Sequence, residues 1–167
     1  MCGRITRTFD FRDIRLRWNV DHDLPTYAPR YNIAPEQTVS NEQKVPVIVR
    51  EGNSNQCRLM VWGLIPHWAM DPTIGNQMIN ARAETLMEKA AFKDLVGRRR
   101  CIIPADGFYE WRKERKRKVP MSVHLHSRQP FGMAGLQAAD NEDRFRETVL
   151  FVRQGIQRQP EQYIRLT

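Results

Sequence analysis

The chain opens Met1-Cys2-Gly3-Arg4, and this is where its types and spacing allow the most unusual chemistry. A small second residue generally permits removal of the initiator methionine, which would leave Cys2 with a free α-amine beside its thiol. An internal cysteine offers only an amide nitrogen, which cannot attack. A terminal 1,2-aminothiol can form an imine with an aldehyde through its amine and then close a five-membered thiazolidine through its thiol. With reference pKa values of about 7.7 to 8.0 for the amine and about 8.5 for the thiol, both are partly nucleophilic near neutrality. Arg4 next to them favours the thiolate. No metal or cofactor is required. Taken alone, position 2 is also where a cysteine can fall by chance.

Other residues can be weighed in the same way. Asn80 and Arg82 alternate with Ile79, Ala81 and Ala83, so on an extended backbone they share a face. Glu110 stands between Tyr109 and Trp111, a setting for a partly desolvated carboxyl group, although a surface carboxylate paired with Arg or Lys is the plainer alternative. Trp68, after Pro66-His67, is the tryptophan expected to offer its ring to a ligand, although for it, as for Trp62 and Trp111, a place in the core is at least as natural a reading. His124 and His126 alternate with Val123 and Leu125 and share a polar face with Ser122, the pattern of a solvated strand face and not of a metal site. Cys57 and Cys101 lie in apolar strands and are expected in the core. Three cysteines without short pairing argue against a disulfide framework and against zinc.

These residues must be positioned by a chain of 167 residues, 41% hydrophobic, long enough for one sizeable core and read as a single domain over 1–167. No apolar run approaches the roughly 18 to 20 residues of a membrane span, and no signal core follows Met1; a soluble cytoplasmic or nuclear protein is expected. The net charge of +8, from 27 Lys and Arg against 19 Asp and Glu, favours a polyanionic partner. Basic clusters at Arg98 to Arg100 and Arg112 to Lys118 lie near tryptophans, as in a groove that tracks phosphates and stacks bases. For the second cluster a solvated hairpin tip is an equal reading.

Asp10 can cap a helix to about Asn19, with Phe11, Ile14 and Trp18 on one face. Prolines between Val20 and Pro35 predict an extended loop holding Arg30 to Pro35. Val45–Arg50 and Cys57–Leu64 read as a hairpin across Gly52 to Asn55, and Glu84–Leu95 as a second helix. Strands follow at Arg100–Pro104, Phe108–Arg112, Val119–His126, Phe131–Leu136 and Thr148–Val152. The expected class is α+β: a mainly antiparallel, curved sheet, a partial barrel, flanked by short helices.

Five segments in register resemble the SRAP family, proteins related to the abasic-site-shielding DNA–protein crosslinkers of bacteria and eukaryotes. They are Met1 to Arg4, Arg30 to Pro35, Trp62 to Pro66 with Trp68, Ile79 to Thr85, and Arg100 to Trp111. The resemblance covers residues 1–136, with 137–167 a divergent tail. It implies that Cys2 is the covalent residue, that Asn80 holds the thiazolidine and opened sugar, that Arg4 and Arg82 bind flanking phosphates, and that Glu110 is the acid/base residue. Asn32 would support the site by capping backbone groups near Cys2. The implied function is covalent capture of abasic sites in single-stranded DNA during the DNA damage (SOS) response, by a monomer needing no cofactor, nucleoid-associated in a bacterium or nuclear in a eukaryote. Two alternatives stand beside it: a Cys2-dependent autopeptidase or thiol peptidase, and a degenerate, non-covalent single-stranded DNA-binding remnant. Lyase activity is a further open question.

Beyond Leu136 the family's active-site histidine motif is missing, since residues 140–167 contain no histidine. A frameshifted or truncated C-terminus is expected. Adduct formation would survive the loss, whereas incision, reversal or peptidase activity would suffer. A sheet edge left unpaired would weaken the fold.

Overall fold

The computed structural model describes residues 3–21, 28–35, 44–115, 117–138, 147–153 and, for the backbone alone, 163–166. Strand β1 (Ile5–Arg7) leads into α1 (Phe11–Trp18) and β2 (Arg30–Ile33). The hairpin β3 (Val45–Glu51) and β4 (Ser54–Trp62) comes next, then a 3-10 turn at Pro72–Asn76, β5 (Asn80–Arg82) and α2 (Ala90–Arg98). The remaining strands are β6 (Arg100–Ala105), β7 (Gly107–Glu114), β8 (Arg117–Leu125), β9 (Phe131–Ala138), β10 (Thr148–Arg153) and β11 (Tyr163–Leu166).

They form two sheets. One runs β11-β8-β7-β1-β2, and the other β4-β3-β6-β9-β10-β5, with β10 also paired to β4. That extra pairing closes β4, β3, β6, β9 and β10 into a ring, a barrel inside an α+β fold. Most neighbours are antiparallel, as expected, but closure is parallel: Thr148 opposes Val61 and Val149 opposes Trp62. Farther along β10 the partner becomes β5, with Phe151 opposite Asn80. The exchange occurs where β4 turns away at Gly63, whose φ of 139° suits glycine. A Cβ there would sit 2.7 Å from the Gly75 carbonyl oxygen. Arg58 ties the start of β10 to the hairpin by pairing with both Glu147 and Glu51.

The unbroken apolar run of β3 follows from burial on both faces. Val45, Val47 and Val49 line the barrel with Trp62, Ile103, Val149 and Phe151, while Ile48 packs under α1 against Ile14 and Cys57. Ile5 and Ile33 of the other sheet belong to the barrel cluster, so one core joins the sheets. Helix α1 is capped by Asp10 and ends at Asn19, as the sequence predicts; the structure adds a reciprocal bond with Asp13 that completes a capping box, and a left-handed Asn19.

Several expectations need correction. The second helix begins at Ala90, not Glu84; Ala83–Thr85 is a 3-10 turn. Leu86 and Phe92 are buried in one cluster, and at 100° per residue a continuous helix would aim them about 120° apart. Arg30–Ile33 is a strand and not a loop, because β1 supplies it a partner, Ile5 opposite Ile33. His124 is not solvated but only 3% exposed: its strand is covered on both sides, by β7 and by β11. His126 is exposed, as expected. The edge of β8 is paired with β11, Ile164 opposite His124. Among the described residues no helix is long and apolar enough to cross a membrane.

Candidate functional site

Strand β1 is clamped from both sides. Beside β2 it pairs through Ile5, and beside β7 Ile5 opposes Phe108 and Thr6 opposes Gly107. The Tyr109 N–H donates to the Arg4 carbonyl at 2.9 Å. Antiparallel order therefore carries the chain from Arg4 towards Gly3 alongside Glu110. Cys2 itself lies outside the described residues.

Side-chain contacts reinforce this clamp. The Asp106 carboxylate, at the bend between β6 and β7, accepts from both hydroxyls of Thr6 and Thr8 and from the Thr8 N–H at 2.8 Å. Arg7 is 1% exposed and donates to the carbonyls of Lys44 and Ala28. Such a buried guanidinium is tolerable because it is hydrogen-bonded. Asp106 and Arg7 were not singled out in the sequence; only the Thr-x-Thr alternation of positions 6 and 8, with no known partner, hinted at the first.

Arg4 Nη1 donates to Asn32 Oδ1 at 2.9 Å, so Asn32 steers a cationic side chain; the contact seen is not the backbone cap expected of it. The Tyr109 hydroxyl donates to the Tyr31 carbonyl at 3.1 Å. Arg4, Tyr31, Asn32, Tyr109 and Glu110 are thus gathered on three adjacent strands, with Arg4 and Glu110 half-buried.

Asn80 and Arg82 come from the other sheet. As expected they alternate about a buried residue, Ala81, with Asn80 half-buried and Arg82 exposed. The Ile79 carbonyl accepts from Phe151 N–H at 3.1 Å and from the Trp62 indole at 2.9 Å, which pins the backbone immediately before Asn80. Ile79, Phe151, Phe108 and Ile5 share the barrel cluster, so the segments bearing Asn80 and Glu110 are anchored on one core.

Of the tryptophans, Trp62 is core at 1% exposure and edges onto Phe151 with ring centroids 4.5 Å apart. Trp68 is 51% exposed and, with His67, Asp94 and Arg99, lines a cleft of about 180 Å³ between its loop and α2. Trp111 is exposed, next to Glu110. Burial pushes the Cys57 thiol up to about 12, a Val47 backbone hydrogen bond opposing slightly, and the Cys101 thiol also up to about 12; both are core residues, as expected, and poor nucleophiles. Among the described residues no group of three or more His, Cys, Asp or Glu is placed to hold a metal.

Residues 1–154 match the family model described as SOS response associated peptidase (SRAP). The likeness therefore runs past Leu136 through β10, farther than the sequence segments suggested. Among similar proteins, the abasic site processing protein YoqW of Bacillus subtilis is 47% identical over 139 residues, 81% of this chain and 59% of that protein. Abasic site processing protein HMCES of Xenopus tropicalis is 31% identical, over 75% of this chain and 43% of its own length. A solved structure of a protein from Bacteroides thetaiotaomicron superposes with a TM-score of 0.75 at 24% identity, covering 92% of this chain and 68% of that one, a likeness of fold. This chain thus spans about 59% of its bacterial relative.

Proposed function

This chain belongs to the SRAP family, and on that premise we propose that it captures abasic sites in single-stranded DNA through a thiazolidine formed by Cys2. One observation carries the reading: β1 lies antiparallel to β7, with Tyr109 N–H bonded to the Arg4 carbonyl, so the chain just after Cys2 runs beside Glu110. Relatives named abasic site processing proteins support it.

In the proposed reaction the freed Cys2 amine attacks C1′ of the ring-opened deoxyribose. The resulting carbinolamine loses its hydroxyl as water, and Glu110 supplies the proton for that departure. The thiolate then adds to the imine carbon and the ring nitrogen ends protonated or neutral by exchange with Glu110, so the adduct equals protein plus DNA minus one water. Asn80 hydrogen-bonds the opened sugar. Arg4, held by Asn32, and Arg82 neutralise flanking phosphates, and Trp68 stacks on a neighbouring base.

Incubation with a uracil-glycosylase-treated single-stranded oligonucleotide, read by intact mass, should give that sum less one water and a band that survives denaturing electrophoresis. Cys2→Ala and a form retaining Met1 should give none. Glu110→Gln should slow adduct formation by about 10²-fold or more with DNA binding retained. Protein that begins at Cys2 yet leaves such DNA unmodified would overturn the proposal.

A further inference from the structure

The basic run from Arg112 to Lys118 is not used by the chemistry above. Its described residues form the outer half of the β7–β8 hairpin, paired without interruption from Phe108 opposite Val123 to Glu114 opposite Arg117. We infer that this hairpin is an arm that binds the sugar–phosphate backbone of the same DNA strand, beyond the nucleotide held at Glu110. The inference rests on the function proposed above.

Three observations point there. From Trp111 outward the described residues of both strands are exposed, apart from the half-buried Val119, so the hairpin's far end does no packing. Positions 112–118 carry Arg112, Lys113, Arg115, Lys116, Arg117 and Lys118 against Glu114 alone. Near the tip Arg112 pairs with Glu114, both half exposed, a contact of little weight in water.

The register makes this arrangement unfavourable in isolation. Lys113 lies directly opposite Lys118, and like charges facing across a strand pair repel. At the turn Arg115 takes a left-handed φ of 50°, a conformation better suited to Gly or Asn. A hairpin built only to close would relieve both. A polyanion laid along it removes the repulsion by charge, and releases its own counterions in doing so. Trp111, 41% exposed at the root of the arm, adds a ring on which a base can stack. From Glu110 to Glu114 the strand advances about 13 Å, enough to follow a strand leaving the reaction site.

The test uses fluorescence anisotropy with intact single-stranded oligonucleotides of about 4 and about 16 nucleotides, the span of comparable grooves. Replacement of Arg115, Arg117 and Lys118 together by Ala should weaken binding of the longer strand about tenfold or more, and flatten log K against log salt by about 2, at about 0.7 per phosphate contact. Binding of the short strand should not change. Arg12→Ala, Arg17→Ala and Lys93→Ala together remove the same charge from α1 and α2 and should alter neither; equal losses in both triple variants would make the effect one of net charge and overturn the arm. The charge-retaining Arg115→Lys with Arg117→Lys should keep wild-type slope, which separates charge from misfolding. An unchanged slope in the hairpin variant, including the case in which an acidic protein is the true partner, overturns the arm alone. Wild-type protein that binds neither oligonucleotide overturns the function proposed above and the arm with it.

Discussion

At the scale of single residues, two of the cysteines are held out of reach. Cys57 and Cys101 are 2% and 8% exposed, and burial favours their neutral thiols. In native protein Cys57 and Cys101 should therefore resist a thiol reagent and react rapidly only once the chain unfolds; rapid native-state reaction of either would contradict the burial. The same groups set an alkaline limit. A raised folded-state pKa stabilises below the unfolded value of about 9 and loses that contribution as pH rises towards about 12, by at most about 1.4 kcal/mol per pH unit for each thiol. Urea melts at about pH 8 and 10.5 should show Cys57→Val losing less stability over that interval than the wild type.

At the scale of elements, two devices lend themselves to measurement. The Asp10 side chain accepts from the Arg12 and Asp13 N–H groups while Asp13 returns a bond to the Asp10 N–H. Asp10→Ala should cost about 1 kcal/mol, read from a denaturant melt. Gly63 is more demanding. Alanine there would combine an unfavourable φ with a backbone clash at 2.7 Å, whereas Gly52 has a positive φ of 56° but open space around it. Gly63→Ala should thus destabilise by clearly more than Gly52→Ala, roughly 1–3 kcal/mol from the backbone alone. Equal thermal shifts would mean that the exchange of β4 for β5 beside β10 is not rigidly held.

At the scale of the whole molecule, β10 is the strand that turns a curved sheet into a ring. It contacts β9, β4 and β5 and buries Val149, Leu150 and Phe151. A chain ending at Arg153 should still unfold cooperatively, though with an uncovered β8 edge that invites association. A chain ending at Glu147 should not, since it loses the closing strand together with three core side chains. Circular dichroism melts of the two would distinguish them, and cooperative unfolding of the shorter one would refute the role given to β10.

Sequence alone determined whatever is decided within a few residues: α1 between its Asp10 cap and Asn19, the β3–β4 hairpin, and the apolar strands around Cys57 and Cys101. Tertiary structure alone decided what depends on partners far along the chain. Strands β1, β2 and β5, of three or four residues, have too few internal contacts to signal themselves, and exist because β1 finds β7 a hundred residues later and β5 finds β10. His124 is buried on a strand paired on both sides, by β7 and β11, and Asn32 meets Arg4 because two distant segments are zipped together. Local pattern reports the preferences of a segment; pairing between remote segments, which must first overcome the entropy of closing long loops, settles where those preferences are spent.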